Sequence, residues 1–200
     1  LPTEEEIKET VFSIDRDSVA GPDGFTSAFY QACWDFIASD IVEAIRDLFS
    51  GTPTLRSLIA TTIVLIPKVD APQFWNDFRP ISLCNVTNKI ISKFLYNKLS
   101  LSELISPSQS DFVLGRLIGD NILMVQEMAH HLDIRYSKGN LVIELDMSKA
   151  YDRVNWNFLL TVMQKMGFPH RILTLIKHVI QNCLFTILIN GEISGFFKST

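Results

Sequence analysis

The sequence predicts an α+β fold in which helices pack on a mainly antiparallel sheet. Three observations carry that expectation. Apolar residues at helical spacing interleave with short β-branched runs, and no regular βαβ rhythm appears. Asn190-Gly191, the strongest short hairpin signal, splits the apolar run from Cys183 to Phe197. The chain has 200 residues, 47% hydrophobic and 20% charged, which is ordinary for a globular protein with a sizeable core.

The elements follow in order. Thr3 and Glu6 form a capping box for a short helix reaching about Ser13. The segment Ala20-Gly21-Pro22-Asp23-Gly24 is a tight loop, because Gly flanks Pro and Asp. Ser27 to Phe49 has helical apolar spacing with an expected break near Ser39-Asp40, and Gly51 stops it. Thr61 to Ile66 is β-branched and short, a buried strand. Pro72 to Asp77 is a loop, and Phe78 to Leu83 is extended, since Pro80 disfavours helix at Arg79. Asn85 caps a helix to about Leu99; a loop with Pro107 precedes a second long helix, Leu117 to Tyr136. Gly139-Asn140 turns the chain into an apolar strand, Leu141 to Asp146. Asn155 caps a helix to Met166, Gly167 stops it, and Pro169 suits the first turn of the next.

Several classes are excluded. No apolar run approaches the roughly 18 residues of a membrane span. Cys33, Cys84 and Cys183 are odd in number and far apart, which argues against a disulfide partner or a zinc ribbon and for a reducing compartment. The residues from Leu1 show no basic start followed by an apolar core, so no secretory signal is visible, and both ends read as cuts in a longer polypeptide. The net charge of −4 counts against a strongly basic nucleic-acid surface. His130-His131 and Asp133 read as a polar helix surface, and Trp34, Trp75 and Trp156 as packing residues.

The most informative segment is Leu141 to Val154, LVIELDMSKAYDRV. Its apolar residues lead directly into Asp146, and a carboxylate there is costly to bury unless it is paired or binds a metal. Alternation places Glu144 and Asp146 on one side of the strand, with Asp152 following across a turn. Taken alone, Asp146 more often simply leaves the core and caps the next turn. A glycosidase-type carboxylate pair is a third reading, with no other sugar-site feature beside it.

The string LDMSKAYDRVNW, Leu145 to Trp156, resembles the first palm motif of LINE-type (non-LTR) reverse transcriptases, particularly those abundant in plant genomes. Four further blocks occur in that family's order. They are AGPDGF (Ala20 to Phe25), LIPK with DFRPISL (Leu65 to Lys68, Asp77 to Leu83), SPSQSDFVLGRLIGDNILMVQE (Ser106 to Glu127), and the hairpin ending FTILINGEISGFFKST. The resemblance implies the fingers and part of the palm of a right-hand polymerase, with a fingers-like region over 1–140 and a partial palm over 141–200. It implies RNA-directed DNA synthesis on an RNA template and a DNA primer from deoxynucleoside triphosphates, inside the cell, in cytoplasm or nucleus.

The family's site residues carry over by position. Asp146 is the first of three metal-binding aspartates for two Mg2+ ions, with the Met147 carbonyl as an accessory ligand. Lys149, Ala150 and Tyr151 line the triphosphate and sugar pocket, Tyr151 as the wall that excludes a ribose 2′ hydroxyl. Lys68 and Arg79 contact the triphosphate, Arg79 by its planar fork of donors. Arg116 and Asn121 meet template or substrate, against the alternative of helix-start capping. The Gly-Gln-Asp-Pro and Ala-Asp-Asp blocks, with the other two aspartates, do not occur in these residues, so the chain alone is expected to lack polymerase activity. Asp111 stands where the family usually has Gly, and Glu144 adds a like charge beside Asp146. A decayed, non-catalytic retrotransposon remnant and a nucleic-acid-binding module are the alternative readings.

Overall fold

The computed structural model describes residues 1–52, 56–99, 101–113, 115–130, 132 and 140–198. It divides into two compact units, one of residues 1–98 with 163–200 and one of residues 99–162.

The first unit begins with helix α1, Glu4–Phe12, opened by the expected capping box: Thr3 Oγ1 accepts from the Glu6 amide and the Glu6 carboxylate accepts from the Thr3 amide. Helices α2, Ser27–Ala32, and α3, Trp34–Ser50, follow. The expected break at Ser39-Asp40 is wrong; the chain breaks at Cys33. The reason is packing. Ser39 and Asp40 lie on the solvent side of α3, while Trp34 must turn inward with Val42, Ile45 and Leu48. Gly51 stops α3 in the left-handed conformation at φ 94°.

Strands β1, Thr61–Pro67, and β2, Phe78–Cys84, form an antiparallel hairpin, with Pro80 opposite Leu65. Pro80 is tolerated because β2 is an edge strand with one side free of the ladder. Helix α4, Val86–Lys98, comes next; after the second unit, helix α8, His170–Gln181, leads to β3, Leu184–Ile189, and β4, Glu192–Lys198. Pro169 sits just before α8, at its N-cap. Asn190 and Gly191 both take positive φ, 52° and 85°, as a two-residue hairpin turn requires. The sheet order is β2-β1-β3-β4, antiparallel at both flanks and parallel between β1 and β3. The expected combination of helices and sheet is present, and the sheet is mixed, with two antiparallel pairings and one parallel.

The core of this unit joins Ile7 and Val11 of α1, Ile45 and Leu48 of α3, and Ile90 and Phe94 of α4. Polar ties fix the connecting segments to it. Gln31 Nε2 donates to the Val11 and Ile14 carbonyls, and Tyr30 and Thr87 share a buried hydroxyl–hydroxyl bond of 3.0 Å. Burial pushes the Tyr30 phenol up, against the opposing hydrogen bond from Thr87.

The second unit holds α5, Leu101–Leu104, α6, Ile118–His130, and most of α7, Trp156–Lys165. The short α5 stands where only loop was expected. The predicted helix from Leu117 is present as α6; of its predicted C-terminal part, 131 and 133–136 lie outside the described residues. Asn155 Oδ1 accepts from the Phe158 amide at 3.0 Å, the predicted cap of α7, and Gly167 follows at φ 90°.

The predicted strand Leu141 to Asp146 is not formed: residues 140–147 carry no regular structure and are exposed, Leu145 by 89%. A strand needs a neighbouring backbone to satisfy its amides and carbonyls. Among the described residues, the four strands pair only with one another. Intrinsic β preference without a partner leaves the segment as coil.

Candidate functional site

In the first unit, the β1–β2 hairpin brings Lys68 and Arg79 to one end of the sheet. Ile66 pairs with Arg79 and Pro67 with Phe78, and the Lys68 amide donates to the Asp77 carbonyl at 2.7 Å. Lys68 Nζ donates to the Asn76 carbonyl at 3.0 Å. Arg79 is exposed and makes no side-chain hydrogen bond among the described residues. The loop between the strands is held by Asp77, whose Oδ2 accepts from the Phe74 amide at 2.8 Å and the Gln73 amide at 2.9 Å. These two donors hold the Asp77 carboxyl below the usual range, with Lys68 adding a smaller attraction.

The base of the same hairpin is locked to the AGPDGF block. Asn85, 2% exposed, sits between β2 and α4; its amide donates to the Ala60 carbonyl at 3.1 Å. Its Oδ1 accepts from the Asp23 amide at 3.2 Å, across 62 residues of sequence. Gly21 lies so close that a Cβ there falls 2.3 Å from the Asn85 amide nitrogen. Lys89 of α4 reaches back to the Ser18 hydroxyl at 2.7 Å and the Val19 carbonyl at 2.6 Å. Two blocks that stand apart in the sequence are therefore one structural piece. Gly21 is legible in the sequence as a turn residue, but its contact with Asn85 has no local signal.

In the second unit, Asp146 and Met147 lie in the exposed coil, and Ser148 to Ala150 form a turn leading to a 3-10 turn at Tyr151–Arg153. Lys149 takes positive φ, 53°. Tyr151 is 79% exposed and meets Phe112 edge to face, with ring centroids 6.4 Å apart. Phe112 itself has φ 59°. The unusual backbone thus falls on Phe112 and not on the preceding Asp111, the position where the family usually has glycine.

Arg116 and Asn121 both face the same loop. Arg116 Nη1 donates to the Gln109 carbonyl at 2.7 Å and to the Ser106 carbonyl, and Nη2 to the Ile105 carbonyl at 2.9 Å. Asn121 Nδ2 donates to the Ser108 carbonyl at 3.0 Å. The planar guanidinium gathers carbonyls that three different residues present, which a flexible ammonium does poorly. In this structure the two residues order the block that precedes α6.

The donor set for a metal is sparse. Among the described residues no three His, Cys, Asp or Glu side chains converge. Asp146 and the Met147 carbonyl offer hard oxygen ligands of the type Mg2+ takes, but they do not make a two-ion site here. The histidine pair lies partly outside the described residues, with His130 in the last turn of α6. Cys33, Cys84 and Cys183 are free; burial raises the Cys84 and Cys183 thiols. No helix among the described residues is long and apolar enough to cross a membrane. Of the tryptophans read as packing, Trp34 is buried, whereas Trp75 is 80% exposed.

Residues 66–200 match the family described as Reverse transcriptase (RNA-dependent DNA polymerase). The chain belongs to that family. Asp146, strand β2 and the β3–β4 hairpin all lie within the matched residues. The chain is also similar over nearly its whole length to transposon proteins. It is 26% identical over 195 residues to the Transposon TX1 uncharacterized 149 kDa protein of Xenopus laevis, covering 96% of this chain and 15% of that protein. Identity is 27% over 183 residues to a Pol polyprotein from the type-1 retrotransposable element R2 of Nasonia vitripennis, covering 89% and 17%. A Pol polyprotein from the type-2 retrotransposable element R2DM of Drosophila melanogaster is 26% identical over 168 residues, covering 84% and 15%. The chain thus spans about a sixth of the length of these relatives.

Proposed function

We propose that this reverse transcriptase chain forms the fingers and the first part of the palm of a retrotransposon enzyme of the LINE type that copies RNA into DNA. The observation that carries the reading is the ordered set of blocks, with Asp146 and Tyr151 in the string that resembles the first palm motif, beside a family match over 66–200 that takes in the blocks from DFRPISL onward. The relatives' names support a retrotransposon setting; the leaning towards plant elements rests on the motif string alone. The division into fingers over 1–140 and palm over 141–200 belongs to the same reading.

The roles follow the positions. Asp146 and the Met147 carbonyl contribute oxygen ligands to magnesium, which in such chemistry supplies charge neutralisation at the transferring phosphorus. Lys68 and Arg79, at one end of the β1–β2 ladder, bind the triphosphate; Arg79 has its fork of donors available. Lys149, Ala150 and Tyr151 form the wall of the nucleotide pocket, with the exposed Tyr151 ring propped on Phe112. Arg116 and Asn121 act on template or substrate through the loop they order. Ordering an anionic, multi-part substrate is where such a scaffold contributes most to rate.

The test is magnesium-dependent primer extension on an RNA template, by the polypeptide of the whole open reading frame that contains this segment. Asp146→Asn reduces extension to background, and the 200-residue chain alone gives none. Extension that survives Asp146→Asn refutes the assignment.

A further inference from the structure

Among the described residues, the non-glycine residues with positive φ are Phe112, Lys149 and Asn190. Asn190 belongs to a hairpin turn, which asks for that conformation. The other two stand at one place. Phe112 meets the Tyr151 ring at 6.4 Å between centroids and 89° between planes, and Lys149 lies two residues before Tyr151. A bulky residue at φ 59° is strained, because its Cβ crowds the following carbonyl oxygen. Such strain persists only where the surroundings over-determine it. Here they do. Ser110 and Val113 are both buried, so the chain reverses between them and turns 111–112 outward. Asp111 Oδ1 accepts from the Phe112 amide at 3.0 Å, and Gln109 Nε2 donates to the Asp111 carbonyl at 3.3 Å. The Arg116 amide donates to the Val113 carbonyl at 3.2 Å while its guanidinium holds the Gln109 carbonyl. Asn or Gly suits this backbone better than Phe, and burial does not account for a ring that is 72% exposed. The contact with Tyr151 does.

We propose that Phe112 is a positioning residue that sets how strictly the enzyme selects its sugar: its ring, fixed by the strained loop, braces Tyr151 so that the pocket wall does not yield to a nucleotide carrying a 2′ hydroxyl. A steric filter discriminates by the free energy needed to displace its wall. Tyr151 is 79% exposed, so little packing holds its ring in place. An edge-to-face aromatic contact favours one ring orientation over others, which makes the brace a sizeable part of what resists displacement. The loop supplies the other half of the device. A brace mounted on slack backbone moves with the wall, whereas Phe112 is anchored by buried residues on both sides and by the Arg116 clamp. The inference rests on the reading of Tyr151 as the nucleotide-pocket wall, and it extends sugar selection to a residue outside the string that contains Tyr151.

The experiment uses the polypeptide of the whole open reading frame and measures kcat/KM for a deoxynucleoside triphosphate and for the matching ribonucleoside triphosphate in primer extension. Phe112→Asn removes the ring and keeps a residue that tolerates positive φ. It lowers the deoxy-to-ribo ratio about 2- to 12-fold, the range that one edge-to-face aromatic contact is worth. The fall comes from a rise in ribonucleotide kcat/KM, which a merely damaged fold does not produce. Phe112→Tyr, which keeps the ring, restores the ratio. Amide exchange across residues 105–113 stays the same in Phe112→Asn, because Arg116 and the buried neighbours hold the loop. Any of three results overturns the proposal: an unchanged ratio in Phe112→Asn, an equal loss for both nucleotides, or exchange across 105–113 faster by about tenfold or more, which means the ring holds the loop and not the wall. Tyr151→Ala and Asp146→Asn separate this failure from failure of the polymerase reading. If Tyr151→Ala lowers the ratio and Phe112→Asn does not, only the brace falls. If Tyr151→Ala leaves the ratio unchanged, the wall assignment falls and the brace with it. If Asp146→Asn leaves extension intact, the catalytic assignment falls, and the two ratios still decide the wall and its brace.

Discussion

Replacing Gly21 by Ala tests whether the AGPDGF block and the β1–β2 hairpin are one piece. An ideal Cβ at Gly21 lies 2.3 Å from the Asn85 nitrogen, 2.4 Å from Asn85 Oδ1 and 2.5 Å from the Cys84 carbonyl carbon. Two of these are backbone atoms, and the Asn85 amide is already bound to the Ala60 carbonyl at 3.1 Å. The junction cannot retreat without breaking the end of β1–β2 pairing, so the loop must lift. Overpacking of this kind costs about 1–3 kcal/mol. Lifting also stretches the Asp23–Asn85 hydrogen bond of 3.2 Å, worth roughly another 1 kcal/mol. The expected loss is about 2–4 kcal/mol, a fall of roughly 1–2 M in the urea midpoint. Gly24 is the control. It has φ 77°, and a Cβ added there meets no atom within 4 Å, so Gly24→Ala carries only the left-handed backbone cost of about 1–2 kcal/mol. A Gly21→Ala change below about 0.5 kcal/mol, or one smaller than that of Gly24→Ala, refutes the argument that this contact is tight.

Three further expectations follow from the same geometry. Arg116→Lys speeds amide hydrogen exchange across residues 105–113 by about tenfold or more, because one ammonium cannot replace a fork that reaches three carbonyls; unchanged exchange means the fork is dispensable. Asp77 has a carboxyl held below its unfolded value of 3.8, so its contribution is complete above that value and is lost as pH falls through the lower folded value. Amide exchange at Gln73 and Phe74 therefore rises only on strong acidification, and Asp77→Asn removes that acid step; a step at neutral pH contradicts the assignment. Asn190→Val places a β-branched side chain at φ 52° and costs about 1–2 kcal/mol in urea unfolding, whereas a neutral effect means the turn adopts another form.

What the residues determined alone was local. The capping box of Thr3 and Glu6, the stops at Gly51 and Gly167, the Asn155 cap and the Asn190-Gly191 turn each depend on groups within a few positions, and each formed as read. The family was legible for a related reason: its motifs are short strings whose side chains and spacing survive in order. Tertiary structure decided the rest. The break fell at Cys33 because burial of Trp34, and not the polarity of Ser39 and Asp40, sets the direction of α3. Residues 141–146 stayed coil because a strand is a property of two backbones, and apolar alternation supplies only one. Arg116 became a clamp on carbonyls of its own loop, and Trp75 faced solvent, because exposure depends on what the fold leaves beside a side chain. The Gly21–Asn85 contact and the parallel pairing of β1 with β3 join residues distant in sequence. Local free-energy preferences are written within a few residues; the pairings that bring distant segments together are selected only when the whole core is packed.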